Sequence, residues 1–124
     1  MIYLDHSATT PLRPEALAAM LPHLETVGNP SSLHAAGRRA RVAVDRARGM
    51  VADVLGCEPG EVVFTSGGTE ADNAALRGPL AARPGRLGLV TGATEHKAVL
   101  ATARALAAAG HPVAILPPGP DGRL

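Results

Sequence analysis

The stretch EVVFTSGGTEADNAAL, residues 61–76, changes character in its middle. Residues 61–65 are mostly apolar and favour a strand, two glycines follow at 67 and 68, and a helix is predicted from Thr69–Glu70 to about Leu76. Gly78–Pro79 is expected to break that helix. A strand that leads through glycines into a helix is the building unit of a parallel α/β sheet. The segment therefore predicts an α/β fold.

The remaining chain continues this alternation on both sides of residues 61–76. Helices are predicted over residues 14–24, 36–55 and 95–109, and strands over residues 2–4, 87–91 and 113–116. Ser31 or Ser32 is expected to cap the second helix, and Gly56 and Gly110 to end the helices before them. This order indicates a mostly parallel sheet with right-handed crossovers. Because such sheets are usually covered on both faces, we expect this one to continue outside the chain.

Composition excludes several classes of function. The 124 residues carry 12 Lys and Arg against 11 Asp and Glu, so the net charge of +1 argues against a nucleic-acid-binding protein. Tyr3 and Phe64 are the only aromatic residues, too few for base stacking. The arginine-rich side of the second helix is accordingly interpreted as a solvated face.

Localisation and redox state also follow from the sequence. No apolar stretch reaches the roughly 20 residues that a membrane span needs, and the first residues do not resemble a secretory signal, so a cytoplasmic protein is expected. The single cysteine, Cys57, excludes an internal disulfide and fits a reducing compartment. It is interpreted as a structural thiol.

The glycine turn at 67–68 is the first candidate site. Glycines let a ligand approach the backbone, and the free N–H groups of a helix's first turn favour an anion, of which phosphate is the natural example. The spacing matches neither a Walker loop nor a dinucleotide fingerprint. An ordinary turn with Thr69 as the helix cap remains an open alternative.

The second candidate is His96, in the segment 94–97 that follows the next predicted strand. Ligands gather at the carboxyl ends of parallel strands, so His96 and Thr69 are expected on one rim of the sheet. A surface or capping histidine is the alternative. The small polar turns around residues 5–11 and 29–34 are weaker candidates. No metal site is predicted, because the histidines lack ligand spacing and no second cysteine supports them.

Four motifs, in this order, resemble those of the cysteine desulfurases of the NifS/IscS type. They are residues 3–5 running into 8–11, residues 28–32 with His34, residues 64–73, and residues 94–100. The resemblance extends from residue 3 to about 116. It implies the N-terminal part of the large domain of fold-type-I pyridoxal-phosphate enzymes of class V, a three-layer α/β/α domain with a mostly parallel sheet. Residues 1–30 would form an arm and helix, and 31–124 an incomplete cofactor-binding domain.

The resemblance also implies an activity. Enzymes of this family take sulfur from L-cysteine, release alanine and leave a persulfide on the enzyme, which a sulfur-acceptor protein receives for iron–sulfur cluster or thio-cofactor synthesis. They are homodimers. A selenocysteine lyase or an aminotransferase-like enzyme of the same class remains an alternative, as does a non-catalytic dimerisation or scaffold module.

Roles carry over only onto matching residues. By resemblance, Gly68 and Thr69 bind the phosphate of pyridoxal 5′-phosphate, and His96 is the catalytic histidine that stacks on its ring. Three further residues resemble stretches near the substrate or the partner subunit: Ala8, Thr9 and Asn29.

The resemblance also shows which parts of the family's machinery this chain lacks. The lysine that holds the cofactor covalently, the catalytic cysteine and the acidic partner of the ring nitrogen all fall beyond residue 124. Lys97, the only lysine, is a helical neighbour turned about 100° from His96 and is not expected to replace the missing one. The chain is therefore interpreted as the N-terminal third of a desulfurase, inactive by itself.

Overall fold

The computed structural model describes residues 2–83, 85 and 88–123, and these divide into two units, Met1–Val63 and Phe64–Leu124. The first unit contains helices α1 (Pro14–Leu24) and α2 (Ala35–Leu55) and a short 3₁₀ helix, Pro59–Glu61. The second contains α3 (Gly68–Ala82), β1 (Leu89–Gly92), α4 (Lys97–Ala108) and β2 (Val113–Leu116).

The N-terminal arm forms a hydrogen-bonded turn and not the strand predicted over residues 2–4. The Tyr3 hydroxyl donates to the carbonyl oxygens of Asp5 at 2.8 Å and Thr9 at 3.3 Å. A strand forms only against a partner that pairs its backbone, and the arm has none among the described residues. Helix α1 follows over the predicted range, with Pro14 in its first turn, where a missing N–H costs no helical bond.

Helix α2 begins with a histidine cap, so the prediction that Ser31 or Ser32 caps it is wrong. The Nδ1 atom of His34 accepts the Gly37 N–H at 3.3 Å. The two serines instead bond backward, because their N–H groups donate to the side chain and the carbonyl oxygen of Asn29, each at 2.9 Å.

The carboxyl end of α2 is as predicted. Gly56 takes a left-handed φ of 68°, a conformation that favours glycine. The chain then reverses so that the Cys57 N–H donates to the carbonyl of Ala52 at 3.1 Å.

The arginine face of α2 is largely exposed, as the sequence predicts, with Arg48 as its half-buried member. Arg41 forms an exposed ion pair with Asp45 at 2.9 Å. Arg38 and Arg48 instead turn back to the backbone, where their guanidinium groups donate to the carbonyl oxygens of Leu33 and Val62. These two arginines therefore bind the segment before the helix, at Leu33, and the segment after it, at Val62, to the helix.

The strand predicted over residues 61–65 does not form. Glu61 ends the 3₁₀ helix, in which the Glu58 and Glu61 side chains make a reciprocal capping box. Val62 is extended, and residues 62–65 are not part of a described strand. The apolar pattern is therefore present, but no neighbouring strand in the described residues completes the ladder.

The second unit contains the parallel sheet that the sequence predicts. Strands β1 and β2 pair in parallel, with Leu89 opposite Val113 and Gly92 opposite Leu116. The predicted first residue of β1, Leu87, lies outside the described residues. Gly110, with a φ of 89°, turns the chain from α4 into β2 as expected.

Helix α4 lies between the two strands in sequence and contributes most of the buried core. The sequence predicts that its apolar stripe is formed by Val99, Leu100, Ala103, Leu106 and Ala107. Of these, Ala103 and Leu106 are buried, whereas Ala107 is exposed. Ala98 and Thr102 are also buried, and the sequence pattern did not single them out. The buried face is therefore centred slightly to one side of the predicted one.

Helix α3 continues through Gly78–Pro79 to Ala82, so the predicted break at that pair is wrong. Proline removes one helical hydrogen bond. Leu80, directly after it, is only 6% exposed, and burial of a leucine side chain contributes about 1.5–3 kcal/mol toward offsetting that loss. Within the described part of the chain, no helix has the length and apolar character that crossing a membrane requires.

Candidate functional site

The turn that precedes α3 leaves the first N–H groups of the helix open. Gly67 is the N-cap residue in extended conformation, without a side-chain cap, and Gly68 is already the first helical residue. Thr69 is thus inside the helix and does not cap it. Within the described residues, the N–H groups of Gly68, Thr69 and Glu70 and the Thr69 hydroxyl have no hydrogen-bond partner.

Neither glycine of this turn is required by packing within the described chain. A Cβ atom built on Gly67 or Gly68 would meet no atom within 4 Å. The space beside both α-carbons is therefore open within the described chain, at the positive end of the α3 dipole. This arrangement fits a phosphate group, which needs several donors and a backbone that it can approach closely.

Glu70 fixes the turn from inside the helix. Its carboxylate accepts the Ser66 hydroxyl at 2.6 Å and the Ser66 N–H at 2.7 Å. The hydroxyl bond first, and the N–H bond second, lower the pKa of Glu70 below its ordinary value. Ser66 is thereby occupied, and the donors left free for an anion are those of the following residues.

His96 is the N-cap residue of α4. Its Nδ1 atom accepts the Ala98 N–H at 3.2 Å, so in the neutral ring the proton lies on Nε2. The imidazole is exposed, and the Glu95 N–H donates to the carbonyl of Gly92 at 3.4 Å, which joins this segment to the end of β1. The capping alternative is therefore realised, and the same ring keeps a free nitrogen and open faces.

The structure brings only part of the predicted rim together. His96 follows the carboxyl end of β1, as the sequence predicts, whereas Thr69 follows residues that are not assigned to a strand. A shared rim and the roles of Gly68, Thr69 and His96 in holding a cofactor stay predictions.

Ala8, Thr9 and Asn29 belong to the first unit, where each takes part in a local turn. The N–H groups of Ala8 and Thr9 donate to the carbonyl of Asp5 at 3.1 and 3.4 Å. The turn at Asn29 is pressed onto the start of α2, because a Cβ on Gly37 would lie 2.8 Å from the Asn29 carbonyl oxygen. Their placement near a substrate or a partner subunit stays a prediction.

The single cysteine and the single lysine of the chain, both chemically reactive residue types, lie outside these turns. Cys57 is a half-buried free thiol just past α2, and Lys97 is the exposed first residue of α4. Among the residues with described positions, no group of three or more histidine, cysteine, aspartate or glutamate side chains could hold a metal ion.

Comparison with known proteins gives one consistent result. The family model described as aminotransferase class-V matches residues 2–124. A cysteine desulfurase of Frankia sp. (strain EuIK1) is 53% identical over 91% of this chain and 27% of its own length. A cysteine desulfurase of Cereibacter sphaeroides is 52% identical over 99% of this chain and 33% of its own length. The chain thus spans about a third or less of these relatives.

Solved structures confirm the fold prediction. A NifS-like protein superposes with a TM-score of 0.83 at 36% identity, over 94% of this chain and 33% of its own. DndA from Streptomyces lividans superposes with a TM-score of 0.77 at 42% identity, over 99% of this chain and 35% of its own. The structure of SspA in complex with cysteine gives a TM-score of 0.84 at 38% identity, over 94% of this chain and 34% of its own. The fold is the N-terminal part of the large domain of such enzymes.

Proposed function

The chain belongs to the aminotransferase class-V family, and from this premise we propose that it forms the N-terminal part of a pyridoxal-phosphate-dependent cysteine desulfurase. The observation that carries the proposal is the open turn at Gly67–Thr69, with unpartnered N–H groups and a free hydroxyl, in a chain that is 52–53% identical to cysteine desulfurases. The turn suits a phosphate group chemically, because its free N–H and hydroxyl groups are the donors that phosphate oxygens need.

In this proposal the chain's own residues bind and orient the cofactor. The N–H groups of Gly68 and Thr69 and the Thr69 hydroxyl hold its phosphate. Pyridoxal phosphate, when bound, supplies an electron sink for negative charge that develops on an amino-acid substrate. His96 offers a flat imidazole face for stacking, and its Nε2 atom, left free by the helix cap, can hold or pass a proton.

The properties of the whole protein belong to the same proposal. Its substrate is L-cysteine, the amino acid with which the structural neighbour SspA is in complex. Its products are alanine and an enzyme persulfide that a sulfur-acceptor protein receives for iron–sulfur cluster or thio-cofactor synthesis. It works as a homodimer in the cytoplasm, with residues 1–30 as an arm and 31–124 as part of the cofactor-binding domain. Ala8, Thr9 and Asn29 lie near the substrate or the partner subunit.

Replacement of the Thr69 hydroxyl tests the phosphate site. In the full-length protein, Thr69→Ala should weaken pyridoxal-phosphate affinity by about 1–3 kcal/mol, the range for hydrogen bonds to charged groups. Equilibrium binding to the apoprotein measures this loss. Thr26→Ala is the matched control, because Thr26 is an exposed threonine of the first unit whose hydroxyl already donates to the His23 carbonyl at 3.2 Å. Equal affinities for the two variants would remove Thr69 from the site.

An activity assay of the 124-residue chain tests whether these residues alone can catalyse the reaction. Incubated with pyridoxal phosphate and L-cysteine, it should release neither sulfide nor alanine above a cofactor-only control. Lys97→Ala should behave as the parent, because Lys97 is exposed at the start of α4. Sulfide release by the parent that is lost in Lys97→Ala would contradict the interpretation.

A further inference from the structure

The carboxamide of Asn73 joins the first turn of α3 to α4. Its Nδ2 atom donates to the carbonyl oxygen of Thr69 at 2.8 Å, one helical turn earlier. Its Oδ1 atom accepts the hydroxyl of Thr102, on α4, at 2.9 Å. Arg77 also donates to Oδ1, at 3.3 Å, so the amide is oriented by three neighbours.

Thr102 is a polar residue of the second unit that is buried, with 3% of its surface exposed. A buried hydroxyl without a partner destabilises a protein, so this one needs an acceptor. The bond to Asn73 therefore links α3 to α4 and fixes where along their lengths, and on which faces, the two helices meet. His96, the residue that caps α4, lies six residues before Thr102, so the link also relates the start of α3 to the helix that His96 caps.

We infer that Asn73 and Thr102 are positioning residues that hold the first turn of α3 in the orientation its anion site needs; this rests on the proposed function. The peptide unit between Thr69 and Glu70 is planar and trans, so the Thr69 carbonyl and the Glu70 N–H point in opposite directions within one rigid plane. The side-chain bond to this carbonyl adds to the helical backbone bond that it accepts, and so further restrains the direction of that N–H. The buried link to α4 in turn holds the side chain.

The link predicts an effect on ligand binding that a merely structural hydrogen bond would not have. Thr102→Val keeps the shape of the side chain and removes the hydroxyl, whereas Thr102→Ser keeps the hydroxyl. In the full-length apoprotein, Thr102→Val should weaken binding of pyridoxal phosphate about tenfold, which corresponds to about 1.4 kcal/mol. It should also shift the absorption band of the bound cofactor. Thr102→Ser should stay within about twofold of the wild type.

Asn73→Ala provides a second route to the same conclusion, because Asn73 is only half-buried and its removal creates no large cavity. It should weaken pyridoxal-phosphate binding at least as much as Thr102→Val. The double variant should bind no more weakly than Asn73→Ala alone, since both changes break one link. If Thr102→Val does not fold, Asn73→Ala decides.

The outcomes separate the two proposals. If the wild type binds pyridoxal phosphate and folded Thr102→Val or Asn73→Ala binds it with unchanged affinity and spectrum, the positioning inference is wrong and the proposed function stands. If the wild-type protein binds no pyridoxal phosphate, the proposed function fails and the inference falls with it. Weakened binding in Thr102→Val with recovery in Thr102→Ser supports both.

Discussion

The starts of α2 and α3 follow similar loops of serine and glycine, yet one is closed and the other open. At α2, His34 caps the helix and a Cβ on Gly37 would lie 2.3 Å from the Ser32 carbonyl oxygen. At α3, Gly67 provides no side-chain cap, and Gly68 has open space around it. The contrast teaches that a glycine near a helix start is informative only when its surroundings are known. Packing requires Gly37, whereas nothing within the described chain requires Gly68.

Alanine at these two glycines should give the largest difference. Gly37→Ala forces the Asn29–Ser32 turn away from α2 and should cost about 1–3 kcal/mol of unfolding free energy, as overpacking does. Gly68→Ala should leave stability unchanged or raise it, because alanine is the better helix former. Urea unfolding of the full-length apoproteins measures both. Equal losses at the two positions would contradict the conclusion that packing requires glycine at 37 and not at 68.

A second difference between the two helix starts concerns their histidine caps. His34 and His96 each accept one N–H of the helix that follows, through Nδ1. Alanine at either should cost about 1 kcal/mol of unfolding free energy, the typical loss of a helix cap. Only His96→Ala should also shift the absorption band of bound pyridoxal phosphate and slow turnover, with most of the affinity kept. A wild-type spectrum and rate in His96→Ala would leave it with a capping role alone.

The smallest effect is expected at Glu70, whose carboxylate is exposed and holds Ser66. Because its pKa is lowered in the folded protein, the ionised form stabilises the fold at pH above the ordinary glutamate value of about 4.3. That contribution is lost as pH falls through the lowered pKa. Glu70→Gln should therefore flatten the acid part of the stability profile, measured by urea unfolding between pH 3 and pH 7. Glu25→Gln, which removes an exposed carboxylate at the end of α1, should not.

Sequence periodicity predicted the elements that pack locally. Helices α1 and α2, the turn at Gly56 and the strand β2 all lie where the sequence places them. The strands predicted over residues 2–4 and 61–65 failed because pairing depends on a neighbour that no local pattern specifies. Helix α3 passes Pro79 because Leu80 is buried, which is a tertiary effect.

In the candidate site too, features set by neighbouring residues could be predicted, and contacts between residues far apart in sequence could not. The open glycine turn was predictable from the residues alone. The bond from Ser66 to Glu70 had a signal, a serine four residues before a glutamate at a helix start, that the sequence interpretation did not use. The link from Asn73 to Thr102 joins residues 29 positions apart and had no local signal.

The pair of strands β1 and β2 has a consequence for how the chain folds. A helix and short turns, residues 93–112, are all that separates the two strands, so few residues need ordering before they meet. Paired residues such as Leu89 and Val113 are far apart in sequence, but α4 occupies most of the chain between them and so shortens the flexible loop that must close. Val90 is 67% exposed and Leu116 45%. The outer edge of each strand has no partner strand in the described chain, and an open edge is a template for pairing. Once this β1–α4–β2 unit has folded, its two outer edges should therefore stay open to pairing with another strand.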